Sequence, residues 1–384
     1  MDKVLYISGD GVNTCKKRLK FYFNYFDPFW KNYYITRALN SIVNFCEILN
    51  FSNGLQHPAF NLKLESLKIP GSTFLRNKTI ILINYFIHKT ICYKLKSNSY
   101  NLVIFSDNLF FNNKKLLIKI KQIPSIKVVL LSGVSPKYYL KQAEINCIPY
   151  FDIIFISEYG NEIEWRDLGA QNVHVLPLSA GNINTYQKIV KKYNKREKYD
   201  IVFIGRLDGE FNDYRLKILD FLISNGVDID IWTWYNSEEF LHKYPLVKNK
   251  IRGSAYGTDM YRIYAQSKIV LNMHNPTVWS GSNLSTAQSG GNMRLFEVPV
   301  TKTLQIADKC PRDWFKDGDE IVLYKDNKDL LDKVSYYLHD DKERSRIAHN
   351  GYKRVLREHR YQHRAEKLMK IVQSISSDIN IAQF

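Results

Sequence analysis

Short apolar segments alternate with helical segments along this chain, and the alternation starts again in its second half. Residues 101–106, 127–132 and 151–156 are apolar runs in the first half, and residues 200–205 and 269–273 are apolar runs in the second. Such runs, separated by helices, are typical of a parallel β-sheet with helices on both faces. The 384 residues are enough for two domains of this kind. The pattern therefore predicts an α/β protein with two sheets.

The boundary between the two domains is predicted near residue 182. Residues 183–199 are rich in lysine and asparagine and show no strong apolar period, so we interpret them as an interdomain linker. The first domain would then cover residues 1–182 and the second residues 200–360. A charged helical tail ends the chain, and its last part is residues 361–384.

Composition and targeting signals favour a cytoplasmic protein. The most apolar run, residues 80–87, is interrupted by Asn84 and is too short to span a bilayer. The first eight residues are typical of a β-strand and lack the pattern of a signal peptide. Five cysteines are scattered without a Cys-x-x-Cys pair, so we expect neither a disulfide framework nor a zinc site.

The positive charge is concentrated in the first domain. Residues 1–150 hold 21 lysine and arginine residues against 7 acidic ones, whereas the rest of the chain holds 34 against 31. This bias suggests an anionic partner, such as an anionic membrane surface or an acidic acceptor, although solubilising charge alone would give it too. Residues 15–37 add nine aromatic residues to six basic ones. That mixture favours a lipid headgroup interface, and packing of the rings into the core is the alternative.

One segment of the second domain has the features of a nucleotide site. In Ser289-Gly-Gly-Asn-Met-Arg-Leu-Phe-Glu297, two glycines precede what reads as a helix. Gly290 and Gly291 would leave the backbone N–H groups of Gly291, Asn292 and Met293 open to an anion. Glu297 returns to the same face two turns later. The segment predicts a diphosphate at the helix start and ribose hydroxyls on Glu297, with an ordinary salt bridge as the alternative for the glutamate.

The second half also resembles a known family. The matching elements are Phe203-Ile-Gly-Arg206, Arg215, Lys268-Ile-Val-Leu-Asn272, Asn292-Met-Arg-Leu-Phe-Glu297, the stretch 314–324 and the stretch 347–355. In order and spacing they are similar to the spore-maturation (CgeB-like) glycosyltransferases and to glycosyltransferase group 1, which have the GT-B fold. The resemblance implies two Rossmann-like domains facing a cleft, with a C-terminal helix that crosses back to the N-terminal domain.

The resemblance also implies an activity, namely transfer of a sugar from a nucleotide diphosphate-sugar, such as a UDP- or GDP-sugar. The acceptor would be a bacterial surface glycan, a lipid-linked intermediate or a protein, and the transfer would retain the anomeric configuration. In related retaining enzymes a first Glu begins the helix, but this chain has Ser289 there. Peripheral attachment to the inner face of the cell membrane is a further expectation. A nucleotide-sugar epimerase of the same fold and a basic nucleic-acid-binding protein are the alternatives. The chain has no known nucleic-acid module, so we expect no nucleic-acid partner.

Residues at the carboxyl ends of the predicted strands are the site candidates, because ligands of α/β sheets bind at that edge. Arg206, Arg215 and Arg294 could bind the diphosphate, and each has a surface or ion-pair role as its alternative. Trp234 could line the base pocket together with its aromatic neighbours, or pack in the core. His274 follows a strand and could contact the donor sugar.

The first domain supplies two candidate bases for an inverting reaction. Asp10 lies in a glycine-rich turn after the first strand, and Asp107 follows the strand at residues 101–106. Either could instead cap a turn or a helix. Asp228-Ile-Asp230 has the letters of a metal-binding pair but stands where a strand begins, so we interpret it as surface. The sequence therefore predicts a reaction without a metal or another cofactor.

Overall fold

The computed structural model describes residues 3–8, 29–50, 88–106, 114–133, 142–181, 183–193, 197–207, 212–233, 241–274 and 291–381, together with the single positions 85, 136 and 140. These residues form two α/β domains, each with its own parallel six-stranded sheet. The α/β class and the two-sheet architecture predicted from the alternating pattern are confirmed.

The N-terminal sheet has the strand order β2-β1-β3-β4-β5-β6, and every pairing in it is parallel. Its interior strands are buried apolar runs, as expected where helices cover both faces of a sheet. The strands are β1 Lys3–Ser8, β2 Phe45–Asn50, β3 Leu102–Ser106, β4 Lys127–Ser132, β5 Ile153–Ile156 and β6 Val173–Val175. The helices are α1 Phe29–Asn40, α2 Lys114–Lys121, α3 Gln142–Ile145 and α4 Glu162–Asp167, with a further helical stretch at 88–97.

The C-terminal sheet is also parallel throughout, with the order β12-β11-β10-β7-β8-β9. Its strands are β7 Tyr199–Ile204, β8 Ile229–Trp232, β9 Ile251–Gly253, β10 Ser267–Asn272, β11 Leu304–Ala307 and β12 Val322–Leu323. The helices are α5 Ile183–Tyr193, α6 Asp213–Ser224, α7 Pro245–Asn249, α8 Gly257–Ala265, α9 Arg294–Glu297, α10 Asn327–His339, α11 Asp341–Glu358 and α12 Tyr361–Ile381.

One segment folds differently from its sequence-based interpretation. Helix α5 covers most of the segment taken as a linker, and its Tyr186, Ile189 and Val190 are buried in the core of the C-terminal domain. Together with Tyr193 these positions recur at helical spacing, so the segment has an amphipathic period that the linker interpretation overlooked. Directly after the glycine segment, Pro299–Thr301 form a buried 3-10 turn, which Lys302 ends at a positive φ of 59°.

Helix α12 returns to the N-terminal domain, as the resemblance implied. Its Tyr361, Ala365 and Leu368 are buried in one cluster with Val4 and Tyr6 of β1. An apolar face of α12 thus covers one face of the N-terminal sheet, and burial of such a face is the main source of stability for a surface helix. No described helix is both long and apolar enough to cross a membrane.

The chain crosses between the domains twice, and the two crossings lie side by side. Ala180, just before α5, forms a parallel bridge with Arg360, which lies between α11 and α12. The hydroxyl group of Ser179 donates a hydrogen bond to the carbonyl group of His359. The junction is therefore joined by backbone contacts as well as by side chains.

Arg364 is the most heavily bonded side chain of this junction among the described residues. Its guanidinium donates to the carbonyl oxygens of Pro177 (2.9 Å), Leu178 (3.2 Å) and Glu358 (3.0 Å) and to Nδ1 of His359 (2.9 Å). His359 bonds the carbonyl oxygen of Trp314 through Nε2 at 2.8 Å, so its tautomer carries the proton on Nε2. Burial, followed by the charge of Arg364, lowers the pKa of His359 to about 3. The imidazole is therefore neutral.

Candidate functional site

The carboxyl ends of β7, β10 and β11 form one edge of the C-terminal sheet. These strands are neighbours, so residues that follow them stand side by side. Arg206 follows β7 and is exposed, whereas His274 follows β10 and is buried. Asp308 follows β11 directly. The edge thus carries a cation, an imidazole and a carboxylate in adjacent positions.

His274 and Asp308 form a tightly bonded pair. The two side chains approach to 2.5 Å between Nδ1 and Oδ1, and the backbone N–H of His274 also donates to Asp308. Burial lowers the pKa of His274, and Asp308 opposes that shift. For Asp308 burial would raise the pKa, but the histidine outweighs it and the net shift is downward. We conclude that a neutral imidazole donates its Nδ1–H to an ionised carboxylate.

Nε2 of His274 is then a hydrogen-bond acceptor. The atom is buried, and the side chain as a whole is only 4% exposed, yet Nε2 has no hydrogen-bond partner among the described residues. A buried polar atom without a partner costs free energy unless a ligand or water satisfies it. The pair is therefore a preorganised acceptor at the sheet edge.

Arg215 joins two of the strand-end loops. It lies in the first turn of α6 and is buried, and its guanidinium donates to the carbonyl oxygens of Arg206 (3.1 Å) and Met273 (2.7 Å). It also donates to Asn212 Oδ1 at 2.8 Å and to Tyr214 Oη at 2.9 Å. Most of its donors are therefore used by the protein itself. These contacts make Arg215 a residue that positions Arg206 and His274.

The glycine segment is tied to the same edge by two asparagines. Asn272, the last residue of β10, donates to Asn292 at 3.1 Å and accepts from it at 2.8 Å. Gly291 is buried, and a Cβ atom there would lie 2.0 Å from a methyl group of Leu295 and 3.1 Å from Trp314. Its lack of a side chain is thus required by packing as well as by any close ligand. The helix itself is short and runs only from Arg294 to Glu297.

Glu297 is buried and Arg294 is half-buried, at the two ends of the short helix α9. Glu297 is 5% exposed, and one carboxylate oxygen accepts from Tyr261 Oη at 2.7 Å, which in turn accepts from Tyr186 Oη at 2.8 Å. Burial raises the pKa of Glu297, while the bond from Tyr261 works against the rise. The carbonyl group of Arg294 accepts from Gln305 of β11 at 2.8 Å. The carboxylate of Glu297 and the backbone of Arg294 are therefore each held by residues of the domain core.

A cavity of about 60 Å³ lies at the carboxyl ends of the strands of the N-terminal sheet. The hydroxyl-bearing residues Ser106, Ser132 and Ser157 line it at or just after the ends of β3, β4 and β5. Arg364 and Tyr361 line it from the start of α12. Hydroxyl groups and an arginine around an apolar floor suit a polyhydroxylated ligand.

Sequence reasoning missed two charged residues between the domains. Glu158 lies two positions after β5 and Lys309 two positions after β11. Lys309 is 5% exposed, and Glu158 is partly buried. Their strand-end positions were the available signal, and the loops that carry them are in contact through the hydrogen bond from Tyr159 to Asp313.

Several predicted residues lie outside the described residues, namely Asp10, Asp107, Trp234, Gly290 and residues 15–28. The roles proposed for them stay predictions. Trp232 is buried and packs edge-on against Tyr199. Asp228 and Asp230 form ion pairs with Lys250 and Arg252, so both carboxylates have protein partners. The described residues contain no cluster of side chains that could hold a metal ion.

Comparison with known proteins gives a domain family and a fold. Residues 215–370 match the model of a family described as glycosyl transferase-like. No curated protein matches the chain. HepE of Anabaena, solved in complex with UDP and glucose, is 12% identical, with 97% of this chain and 100% of that chain covered and a TM-score of 0.61. The α,α-trehalose 6-phosphate synthase of Burkholderia multivorans is 9% identical, with 100% and 99% covered and a TM-score of 0.62.

A glycosyltransferase from Rickettsia africae is similar to the same extent, with 12% identity, 97% and 98% coverage and a TM-score of 0.59. At such identities the structures show the fold, which is GT-B with two Rossmann-like domains. The family match identifies residues 215–370 as a glycosyltransferase domain, so the chain is an enzyme of the glycosyltransferase class. The narrower resemblance to the CgeB-like branch stays a prediction.

Proposed function

We propose that this enzyme transfers a sugar from a nucleotide diphosphate-sugar, bound by the C-terminal domain, to a hydroxyl group of an acceptor bound by the N-terminal domain. The observation that carries the proposal is the arrangement at the carboxyl edge of the C-terminal sheet. There the hydrogen bonds of Arg215 and of the Asn272–Asn292 pair hold Arg206, His274 and the glycine segment beside one another. This edge is where α/β domains bind nucleotides.

The donor's diphosphate would lie between Arg206 and the backbone N–H groups of residues 291–293. A guanidinium can bind phosphate through two parallel hydrogen bonds, and N–H groups at the start of a helical segment favour an anion. Glu297 would bind the ribose, with Tyr261 fixing one of its oxygens so that the other is oriented. HepE binds UDP and glucose, which supports a UDP-sugar as the first donor to test.

His274 would bind the donor sugar through Nε2. Asp308 fixes the ring and keeps the proton on Nδ1, so Nε2 accepts a hydrogen bond from a sugar hydroxyl. Orientation of this kind lowers the barrier because less freedom is lost in reaching the transition state. An acceptor atom that is already buried and desolvated binds such a hydroxyl without further reorganisation.

Transfer would proceed with retention and without a metal ion. In a retaining transfer on one face of the sugar, the acceptor oxygen bonds to the anomeric carbon as the bond to the diphosphate breaks, and the electron pair leaves with the diphosphate. The acceptor's proton passes to that departing phosphate oxygen. The growing charge on the diphosphate would be stabilised by Arg206 and by the N–H groups of residues 291–293.

The acceptor would lie against the cavity lined by Ser106, Ser132 and Ser157. Its class is proposed as a bacterial surface glycan, a lipid-linked intermediate or a protein. The positive charge of residues 1–150 supports an acceptor held at an anionic membrane surface.

A ligand screen followed by a transfer assay tests the proposal. The purified protein is heated with a panel of UDP- and GDP-sugars, with the free nucleosides, and with oligonucleotides. We expect stabilisation by at least one nucleotide sugar and little by the nucleosides, because the diphosphate contributes most of the charge-assisted contacts. Stabilisation by oligonucleotides alone would refute the proposal, and interconversion of two nucleotide sugars without an acceptor would indicate an epimerase.

A further inference from the structure

The helical stretch 88–97 and helix α2 lie side by side on one face of the N-terminal sheet. Their buried residues belong to one apolar cluster, namely Ile91, Leu95, Leu116, Leu117 and Ile120. The outer sides of the two helices are also close together, because burial and then the charge of Lys119 in α2 lower the pKa of His88 in the other helix. Each helix is therefore amphipathic, with one side in the core and the other side toward solvent.

The outer side of these two helices is basic. We name six of its exposed residues the basic face, namely Lys89, Tyr93, Lys96, Lys115, Ile118 and Lys119. Neither helix contains an aspartate or a glutamate. Within the described residues, none of the four lysines of the basic face lies within 4.0 Å of a carboxylate oxygen. The protein therefore does not neutralise their charge by ion pairing.

The carboxylates that reach these helices are paired with lysines outside the basic face. Glu47 of β2 forms an ion pair with Lys94 at 2.6 Å, and Asp152 forms one with Lys121 at 2.6 Å. A surface whose neighbouring acids are already neutralised presents a positive field to a partner.

The lysines at the start of α2 do not stabilise the helix that carries them. Lys114 and Lys115 occupy its first turn, which contains no acidic residue. The positive end of the helix dipole lies there, and it favours acidic side chains over basic ones. Stability of the fold therefore does not account for the placement of these charges, whereas binding to an anionic surface does.

Two exposed apolar side chains stand among the lysines. Tyr93 is 69% exposed and lies at helical spacing from Lys89 and Lys96, and Ile118 is 37% exposed on the outer side of α2. Lysine stems and amphipathic rings bury apolar surface at headgroup depth while the charges reach the phosphates. A nucleic acid backbone would bind the lysines but offers no apolar layer for Tyr93 and Ile118. The mixture therefore favours a lipid bilayer.

The basic face begins at the edge of the sheet that carries the N-terminal cavity. Helix α2 connects β3 to β4, which are parallel, so its first residues lie toward the carboxyl end of β3. Ser106, the last residue of β3, lines the cavity. A bilayer on the basic face would thus extend to the edge where the acceptor is proposed to bind.

We propose that the basic face docks the enzyme on an anionic lipid bilayer, with its four lysines on lipid phosphates and with Tyr93 and Ile118 in the headgroup layer. The inference adds to the proposed function the surface that meets the membrane, and it favours a lipid-linked acceptor among the classes named above. The statement about the acceptor rests on the proposed function, whereas docking itself needs neither donor nor acceptor. The basic residues of 15–37 would add to the same attachment.

Co-sedimentation with vesicles tests the docking. The full chain is mixed with vesicles of phosphatidylglycerol and phosphatidylcholine, and with vesicles of phosphatidylcholine alone as the neutral reference. We expect binding to the anionic vesicles only, and we expect high salt to reverse it, because salt screens exposed charges. Wild-type protein that binds neither kind of vesicle at low salt would overturn the inference.

A four-lysine variant tests the basic face itself. It carries Lys89→Gln, Lys96→Gln, Lys115→Gln and Lys119→Gln, and glutamine is about as good a helix former as lysine. Because each basic residue near the surface adds to the attraction, half-maximal binding should need at least about tenfold more anionic lipid. The matched control carries the same substitution at four exposed lysines of the C-terminal domain, namely Lys248, Lys328, Lys342 and Lys353. It has the same net charge and should bind the vesicles as wild type does.

Tyr93→Ser tests the apolar part of the face and the kind of partner. The ring is 69% exposed, so the substitution leaves the core intact. It should weaken vesicle binding about fivefold, because it removes apolar surface from the interface, and it should not change any binding to a duplex oligonucleotide. If the four-lysine variant fails to fold, Tyr93→Ser decides, and unchanged vesicle binding would then overturn the inference.

Three further results would overturn it. Unchanged vesicle binding in the four-lysine variant would assign the attachment to residues 15–37 alone, and an equal loss in the control would assign it to net charge. Tighter binding of the oligonucleotide than of the anionic vesicles, lost in the four-lysine variant, would assign the face to nucleic acid. Failure of wild-type protein to bind any nucleotide sugar would instead refute the proposed function, so the two conclusions fail by different results.

Discussion

Replacing Arg364 with methionine should strongly destabilise the protein, because this side chain joins the two crossings between the domains. Its guanidinium is 6% exposed and bonds three backbone carbonyl groups and the imidazole of His359. Burial lowers the pKa of Arg364 to about 10, so the group is still charged at neutral pH. The substitution would leave four acceptors without their donor.

The loss of folding free energy in Arg364→Met can be bounded from these contacts. A hydrogen bond to a charged group contributes about 1.5–3 kcal/mol, and four such bonds would exceed the usual loss on breaking one buried charge network, about 3–5 kcal/mol. Arg364 lines an open cavity, where water can replace some of the bonds. We therefore expect a loss of about 3–5 kcal/mol, which for unfolding of all 384 residues corresponds to a melting temperature roughly 4–6 °C lower.

Differential scanning calorimetry of Arg364→Met against wild type measures this loss. Arg360→Met is the matched control, because Arg360 is exposed and its side chain bonds only His363 among the described residues. That control should stay within about 0.5 kcal/mol of wild type. If the two variants melt at the same temperature, the bonds of Arg364 do not hold the junction and the reasoning is wrong.

Four further predictions follow from the site, the charges and the buried histidine. Arg206→Ala should weaken the binding of UDP by about 1.5–3 kcal/mol and leave the binding of uridine almost unchanged, as measured by calorimetry. Equal losses for the two ligands would show that Arg206 does not contact phosphate. Transfer activity should survive EDTA, and a complete loss that Mn²⁺ or Mg²⁺ restores would contradict the metal-independent mechanism. Replacing Lys16, Lys17, Arg18 and Lys20 with serine should abolish co-sedimentation with anionic liposomes at low salt without affecting donor binding, since each basic residue near the surface contributes about 1 kcal/mol; wild-type protein that never sediments would exclude the membrane role. The pKa of His359 is about 3 in the folded protein, so unfolding takes up a proton once the pH falls below about 6.5. The free energy of unfolding should therefore decrease by up to about 1.4 kcal/mol per pH unit down to about pH 3. In urea titrations His359→Gln should show a shallower dependence on pH, and an unchanged dependence would assign the acid sensitivity to other groups.

The fold could be predicted because its signal is local. Residues 101–106 and 269–273 read as strands from their apolar side chains alone, and the observed strands are Leu102–Ser106 and Ser267–Asn272. Strands of a parallel sheet are buried on both faces, so their sequence is apolar without alternation. Helix α5 was missed because its lysine and asparagine content was given more weight than the helical spacing of its apolar residues.

The sequence predicts where along the strands the candidate site residues lie, but it does not predict which residues they contact. The strand-end rule predicts that Arg206 and His274 follow sheet strands, and they follow β7 and β10, whereas the partners of Arg215 depend on long-range packing. Arg215 bonds Met273, which is 58 positions away, and no pattern near residue 215 encodes that contact. Glu158 and Lys309 were missed for the same reason, because a residue of one domain has no local sequence signal for contacts between the domains.

The side-by-side crossings at Ala180 and Arg360 determine how the two domains can move. A single connection would allow one domain to rotate about the other in any direction, whereas two neighbouring connections define one hinge axis. Rotation about the line through both crossings opens or closes the space between the sheet edges without separating the paired backbones. Twisting of one domain against the other would have to break that pairing. The junction should thus resist twisting of one domain against the other more than opening about that axis.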